Sequence, residues 1–334
     1  MAMTDLDRPP VRPGRAAQRP GAFQRLMSDY GQEIIVLLAI VALFVIVTAV
    51  NPRFISTNNL TSIFAGNAYI AVAAIGMSMV IITGNIDVSV GALIGVLATI
   101  SGTLAVAGYP VWVAWFVPVL VGMAINGVIG MLVAYARIPS IVVTLGALSI
   151  LRGGLISATG GTWISDLPPA FMIAQKKLFG LPVPLVTMVV LTLLAAAWMR
   201  YSAFGRSLYA LGGNPEATVA TGIPAERRIV AVFVIHGMFA GLATILFATQ
   251  LQVIQSTVPP NLELTIITAS VIGGVSILGG SGTVVGSTLA AILFATIGSA
   301  LIFTNVSAYW LRAVIGLLIL ATVLADMYRR SRRI

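Results

Sequence analysis

The feature that most constrains this chain is a series of ten long apolar runs, each close to the ~20 residues that a helix needs to cross a bilayer. The runs lie at residues 34–50, 61–83, 86–107, 111–135, 141–159, 181–199, 229–251, 262–278, 283–303 and 309–327. Charged residues are only 9% of the chain, against about 25% in soluble domains. Because lipid offers no partners to backbone polar groups, such runs cross as helices. The sequence predicts an all-α polytopic membrane protein with about ten transmembrane helices.

The basic residues predict the topology. With the N-terminus inside, 14 Lys and Arg residues fall in inside segments and 4 outside, while Arg152 lies within a run. Cytoplasmic loops carry such an excess, so both termini are predicted to be cytoplasmic. The net charge of +9 is then a topology signal and does not indicate a nucleic-acid partner.

Three regions follow from this topology. Residues 1–32 are predicted to form a disordered, basic cytosolic tail, residues 33–328 the transmembrane domain, and residues 329–334 a second basic cytosolic tail. Attraction of the first tail to lipid headgroups and a simple orientation signal both stay open.

Several absences limit the chemistry. The chain has no cysteine, and hence no thiol nucleophile and no cysteine metal site. It has no Gly-x-x-x-x-Gly-Lys-Ser/Thr phosphate loop. The single histidine, His236, has no carboxylate or thiol at metal or triad spacing and is interpreted as a hydrogen-bonded residue of the helix bundle. We expect a non-catalytic chain that binds no metal and no cofactor itself.

Residues 204–228 form a long polar interruption in the second half of the chain. Asn214 is a good N-cap, Pro215 suits the first helical position, and Glu216 suits the positive end of a helix. Gly222 is placed where such a helix would end. The stretch predicts a short helix outside the bilayer that offers a surface to a soluble partner, with a plain connector as the alternative.

Six polar residues within or beside the apolar runs are candidates for a translocation path or a gate, because polar groups are costly in a membrane. They are Asn85, Asp87, Ser89, Asn126, Thr144 and Arg152. Each has a structural alternative: helix capping near Asp87, interhelical contact at Asn126, a backbone hydrogen bond at Thr144, or snorkelling of Arg152. The run 141–159 is the weakest span prediction, because it contains Arg152, Gly153 and Gly154, and whether it spans fully or is partly re-entrant or broken stays open.

Four ordered motifs resemble those of permeases from sugar-type ABC importers, the ribose, xylose, rhamnose and autoinducer-2 group. They are Phe-Gly-Arg-Ser-Leu-Tyr-Ala-Leu-Gly-Gly-Asn from residue 204, Asn-Ile-Asp-Val-Ser-Val-Gly-Ala from residue 85, Arg-Ile-Pro-Ser-Ile-Val-Val-Thr-Leu-Gly from residue 137, and Thr-Gly-Gly-Thr-Trp-Ile-Ser-Asp-Leu-Pro from residue 159. The chain departs from the family pattern at Thr218 and Val219.

The resemblance implies a bacterial inner-membrane permease subunit that works with an ABC ATP-binding subunit, a periplasmic solute-binding protein and a second permease subunit, within membrane lipid. ATP would be used by the partner subunit. The residues implied to couple the permease to that subunit are Arg206, Gly213, Asn214, Glu216, Ala217 and Gly222. By the same resemblance, Asn85, Asp87 and Ser89 lie near the translocation region or brace it. The predicted topology places them near the cytoplasmic end, which favours a gate or a brace over a periplasmic contact with the solute.

The solute stays open among rhamnose, ribose, xylose and autoinducer-2, as does a homo- or heterodimer. An ion-coupled secondary transporter or channel is the alternative function. The sequence shows no acid–base chain for proton coupling.

Overall fold

A computed structural model describes residues 22–257, 259–307 and 309–331. It divides into a short unit, Met1–Gly31, and a main unit, Gln32–Ile334. The described α-helices are α1 (Ala22–Val50), α2 (Thr57–Phe64), α3 (Ala68–Ile82), α4 (Val90–Val106), α5 (Val111–Ala134), α6 (Ser140–Thr159), α7 (Val183–Tyr201), α8 (Ala203–Gly213), α9 (Pro215–Ala220), α10 (Ala225–Ala248), α11 (Leu262–Ile272), α12 (Val284–Phe303) and α13 (Trp310–Ser331). Four two-residue strands complete the described part: β1 (Trp163–Ile164), β2 (Lys177–Leu178), β3 (Leu181–Pro182) and β4 (Ile254–Gln255).

The predicted all-α membrane architecture is confirmed. Within the described residues, 7 helical stretches are long and apolar enough to cross a membrane, with α2 and α3 counted as the single stretch Thr57–Ile82. The remaining three predicted runs contain the shorter apolar helices α4 and α11 and the C-terminal helix α13. Each of the ten predicted runs therefore contains a helix.

Two of the predicted spans are only partly helical. Helix α4 begins at Val90 although the run begins at residue 86, and α11 ends at Ile272 although its run continues to residue 278. Residues 83–89, the first hairpin segment, and residues 273–283, the second hairpin segment, are non-helical. Gly84 and Gly274 have φ of 80° and 98°, a left-handed conformation that stops a helix and that glycine adopts at little cost.

The sequence left open whether the run 141–159 is unbroken, and the structure answers this. Helix α6 is continuous from Ser140 to Thr159 and ends at Gly160 in the left-handed conformation. Glycine inside a helix costs about 1 kcal/mol relative to alanine, so Gly153 and Gly154 weaken this helix without interrupting it.

The two predicted cytosolic tails lie only partly within the described residues. Residues 1–21 and 332–334 lie outside the described residues, so most of the predicted tails does too. Helix α1 begins at Ala22, twelve residues before the first apolar run, so the end of the stretch predicted as tail is helical.

Helix α10 is the centre of the bundle and packs chiefly on α5 and α3. Its approach to α5 is close because glycines face each other: a Cβ on Gly122 would lie 2.7 Å from the Gly237 carbonyl oxygen. Such small-residue contacts are a common way for membrane helices to pack. Helix α6 is peripheral by comparison, with burial confined to Ser140, Thr144 and Leu155 among its residues.

Candidate functional site

Within segment 204–228, the short helix predicted after Asn214 forms as α9, and it follows a helix, α8, that the sequence analysis did not predict. Asn214 caps α9 by accepting a hydrogen bond from the Ala217 backbone N–H at 2.9 Å. Pro215 opens the helix, and Gly222 follows it with φ of 84°. An N-cap side chain satisfies one of the orphan donors of a helix, and this stabilises a helix of only six residues.

Helix α9 offers most of its surface to solvent. All six predicted coupling residues are exposed: Arg206, Gly213, Asn214, Glu216, Ala217 and Gly222. Thr218 is buried against the rest of the protein, whereas the apolar side chain of Val219 is 54% exposed. An exposed apolar side chain on a short polar helix is a suitable docking contact.

The two ends of this segment are held together. The Arg228 guanidinium lies over the Phe204 ring at 5.0 Å, and Phe204 stacks on Trp198 of α7 at 5.0 Å. Cation–π contacts of this kind stabilise by about 0.5–2 kcal/mol. The segment is thus anchored to a transmembrane helix at its base.

The C-terminal end of α8 packs on Ile82, the last residue of α3, and on the second hairpin segment, which in turn touches Gly84 of the first hairpin segment. We call the five glycines at this contact the glycine junction: Gly84, Gly212, Gly213, Gly279 and Gly280. The Gly280 N–H donates to the Ile82 carbonyl at 2.8 Å. A Cβ on Gly212 would overlap that same Ile82 carbonyl oxygen, and one on Gly280 would lie 2.7 Å from Gly213 Cα. The end of α8 therefore touches α3 and the second hairpin segment by backbone contact, and the second hairpin segment touches the first, which the sequence analysis did not anticipate.

Side chains also fix the second hairpin segment. The Tyr209 hydroxyl of α8 donates to the Gly282 carbonyl at 2.9 Å. Thr283 donates its hydroxyl to Glu33 Oε1 at 2.5 Å, and Gln32 Nε2 donates to the Ile272 carbonyl at 3.0 Å. Burial, and secondly the Glu33 carboxylate, raise the pKa of Tyr209, so its phenol stays protonated as a donor at neutral pH.

Asp87 of the first hairpin segment is completely buried. Its Oδ1 accepts from the Ser89 N–H at 2.8 Å and from the Ser89 hydroxyl at 2.5 Å. Its Oδ2 lies 3.3 Å from Nε2 of His236, which is also completely buried. Two sequence predictions are corrected here. His236 lies in the bundle, but a carboxylate does reach it; and since His236 is halfway along α10, Asp87 lies deeper than the cytoplasmic end.

The first hairpin segment is also tied to the start of α6. The Ile86 N–H donates to the Ser140 hydroxyl at 3.2 Å. The Thr144 hydroxyl donates to the Ser140 backbone carbonyl oxygen, one turn earlier in α6, at 2.8 Å, and lies 3.4 Å from the Ile86 carbonyl oxygen. The backbone-bonding alternative for Thr144 is therefore confirmed.

The other predicted path residues differ in exposure. Asn85 is partly buried and donates to the Thr83 hydroxyl at 3.1 Å. Asn126 is completely buried at the α5–α10 contact, and neither of its amide atoms has a hydrogen-bond partner in the described part of the chain. Of the six candidates, only Arg152 is exposed.

Arg152 has a partner that sequence reasoning missed. Its Nη2 lies 3.9 Å from Oε1 of Glu263, in the first turn of α11, and the two side chains are 46% and 8% exposed. Glu263 packs against α4 at Gly91, where a Cβ would overlap its Oε2. The signal that could have identified Glu263 was an acid at the start of the apolar run 262–278.

The outer end of the bundle is closed by loops. Strand β1 pairs antiparallel with β4, and Trp163 of β1 is 65% exposed. A cavity of about 360 Å³ lies beside them, lined by Asp166, Leu167, Pro169, Met172, Gln175 and Gln252. Within the described residues there is no group of three or more His, Asp or Glu side chains that could hold a metal ion.

Comparisons with known proteins agree with this architecture. The family described as branched-chain amino acid transport system, permease component, matches residues 59–323. The chain is 38% identical over 296 residues to the autoinducer 2 import system permease protein LsrC of Salmonella typhi, covering 88% of this chain and 85% of the relative. The LsrC protein of Escherichia coli (strain K12 / DH10B) is 36% identical over 301 residues, covering 88% and 86% of the two chains.

No solved structure matches the chain. The family match and the extent of these likenesses, on a fold of many apolar helices, show that the chain belongs to the family of transport-system permease components and is a multi-pass protein of the inner membrane.

Proposed function

We propose that this chain is the permease subunit of an ATP-driven ABC importer that moves a small polyhydroxylated solute across the inner membrane. Its relatives are named as permeases of an autoinducer 2 import system. The observation that carries the proposal is α9, a capped and exposed helix outside the apolar bundle, because a partner that uses ATP needs such a surface to act on the permease. The chain itself is a transport component and not an enzyme.

Helix α9 is the docking element for the ATP-binding subunit. Val219 supplies an apolar contact, while Glu216 and Arg206 supply charges around it. Movement of α9 passes along α8 to the glycine junction, and from there to the end of α3 and to the second hairpin segment, which touches Gly84 of the first. Closely packed backbones transmit displacement because they cannot be compressed. This is the route by which ATP use in the partner would change access to the path.

The solute belongs to the monosaccharide and autoinducer-2 class, with rhamnose, ribose and xylose as the other members to test. The names of the relatives favour autoinducer-2. A periplasmic binding protein delivers it to the outer face, where Trp163 and the cavity beside Gln252 are accessible. A second permease subunit completes the path. Apolar side chains on the outside of the bundle face lipid, among them Leu193, which is 62% exposed.

The test is uptake of labelled L-rhamnose, D-ribose, D-xylose or autoinducer-2 into vesicles that contain the chain with the ATP-binding and solute-binding proteins encoded beside it. We expect uptake to require ATP and the binding protein. The combined change Glu216→Arg and Gly222→Trp should remove both uptake and retention of the ATP-binding subunit.

Two outcomes contradict the proposal. Uptake that persists with the altered α9 makes this helix a plain connector. Uptake that follows an ion gradient without ATP supports the alternative, an ion-coupled secondary transporter or channel.

A further inference from the structure

Most of the surface of α6 is exposed, and burial is confined to Ser140, Thr144 and Leu155. We define the α6 face by Ser149, Arg152, Gly153 and Ile156, all of which are exposed. No atom of another element lies within 4 Å of a Cβ placed on Gly153. The face is therefore open, and the question is whether lipid, protein or water lies against it.

Lipid is a poor neighbour for this face because Arg152 is part of it. Arg152 is ~18 Å from the start of α6 and ~10 Å from its end, at 1.5 Å per residue. An arginine at such a depth is costly in hydrocarbon and normally faces water or a polar partner. Its guanidinium turns towards Glu263, 3.9 Å away, and that ion pair draws it to the bundle and not along α6 towards the headgroups.

Glu263 has hydrogen-bonding capacity that the described protein does not use. Its side chain is only 8% exposed, and Oε2 has no hydrogen-bond partner among the described residues. Gly91 makes the room for it, since any larger residue would overlap Oε2. A buried carboxylate oxygen without a hydrogen-bond partner lowers the stability of the folded protein. Its presence beside an exposed arginine therefore indicates that the pair binds a ligand.

The chemistry of the pair selects a neutral ligand. Arg152 offers several N–H donors and Glu263 offers acceptors. The two charges compensate each other, so neither an anion nor a cation gains a net attraction. A polyhydroxylated molecule can donate to the carboxylate and accept from the guanidinium at the same time.

We propose that the α6 face lines the solute path and that Arg152 and Glu263 bind hydroxyl groups of a neutral, polyhydroxylated solute as it crosses. This proposal rests on the proposed transport function. It goes further by assigning one wall of the path and two specificity-determining residues, one of which lies outside the predicted site.

The natural lack of cysteine gives a direct test of what lies against the face. Ser149→Cys and Ile156→Cys flank Arg152 by one helical turn on either side, and each would be the only thiol in the chain. Leu193→Cys, on an equally apolar and exposed position of α7, is the matched control. The assembled complex in membrane vesicles is treated with a membrane-impermeant, positively charged methanethiosulfonate reagent.

We expect both α6 thiols to react while the Leu193→Cys thiol does not, and we expect the solute that the wild type transports to slow the reaction. Absence of reaction at both α6 positions overturns the proposal.

The pair is tested separately by Glu263→Gln and Arg152→Gln. Each should lower uptake about tenfold or more through a raised KM, while the complex still retains the ATP-binding subunit. Unchanged uptake, or a fall in the maximal rate alone, would remove the two residues from solute recognition. If the wild type shows no ATP-dependent uptake at all, the transport function fails, whereas the thiol reactions still report whether the face is wetted.

Discussion

At the residue scale, the contact between Asp87 and His236 joins the first hairpin segment to the middle of α10, and both side chains are completely buried. A buried pair of this kind is stabilising only relative to leaving one partner alone, because the remaining charge has lost both its solvent and its counterpart. The pair thus fixes where the non-helical residues 83–89 can lie.

Removing one partner should therefore be much worse than removing both. We expect His236→Leu to destabilise the protein by about 3–5 kcal/mol. Addition of Asp87→Asn should restore part of the loss, with a coupling energy of about 0.5–3 kcal/mol. The cycle is measured by the thermal unfolding midpoints, in detergent, of the wild type, the two single variants and the double variant. Strictly additive shifts would show that the two side chains do not interact.

Gly212 is a second position where one added methyl group is expected to lower stability. Gly212→Ala places a methyl group against the Ile82 carbonyl oxygen, and overpacking of this type costs about 1–3 kcal/mol. Gly316→Ala in α13 is the matched control, because nothing lies within 4 Å of a Cβ there. The expected result is a lower unfolding temperature and weaker uptake for Gly212→Ala only; equal behaviour of the two variants would mean that the glycine junction is loosely packed.

At the element scale, α9 is too short to be stable by itself, since isolated helices below ~12 residues are marginal in water. Its cap and its attachment through α8 must hold it. The hairpin segments depend on neighbours in the same way, because their backbone is not covered by helical hydrogen bonds. Both kinds of element can therefore be weakened without disturbing the transmembrane helices.

The cap of α9 can be tested by a matched pair of substitutions. Asn214→Ala should cost the short helix about 0.5–2 kcal/mol and reduce retention of the ATP-binding subunit on the purified permease. Asn214→Asp keeps an acceptor for the Ala217 N–H and should therefore still retain the ATP-binding subunit. Equal retention by both variants would show that docking does not require a formed helix.

Tyr209 offers the corresponding test for the second hairpin segment. Tyr209→Phe removes the hydrogen bond to the Gly282 carbonyl and should cost about 1 kcal/mol, seen as a small fall in the unfolding midpoint. The raised pKa of Tyr209 means that the hydroxyl is protonated below its ordinary pKa of about 10, so no pH dependence from this contact is expected between pH 6 and about 9. A midpoint difference that changes within this range would contradict the assignment.

At the scale of the whole molecule, the charge distribution predicts both termini in the cytoplasm. Green fluorescent protein fused to the C-terminus should fluoresce, and alkaline phosphatase fused there should be inactive. The reverse pattern would place the C-terminus in the periplasm. Because four predicted runs lie between α9 and the C-terminus, it would also move α9 to the periplasmic face, away from any ATP-binding subunit.

Local sequence patterns predict much of this structure. The capped helix after Asn214, the helical runs and the backbone bond of Thr144 all follow from residues within a few positions of one another. The continuity of α6 did not follow, because Gly153 and Gly154 lower helix propensity and only the complete helix shows that they do not break it. Glu263 was missed because its partner, Arg152, is distant in the chain.

The sequence by itself determined the membrane class, the approximate helix count and the extramembrane helix, because apolar length, charge bias and capping are local properties. Only the tertiary structure decided that Asp87 meets His236, that Glu263 meets Arg152, and that the glycine junction brings α8 against α3 and the second hairpin segment. These contacts join residues far apart in the chain, and their distances depend on how the helices pack, which no local pattern encodes.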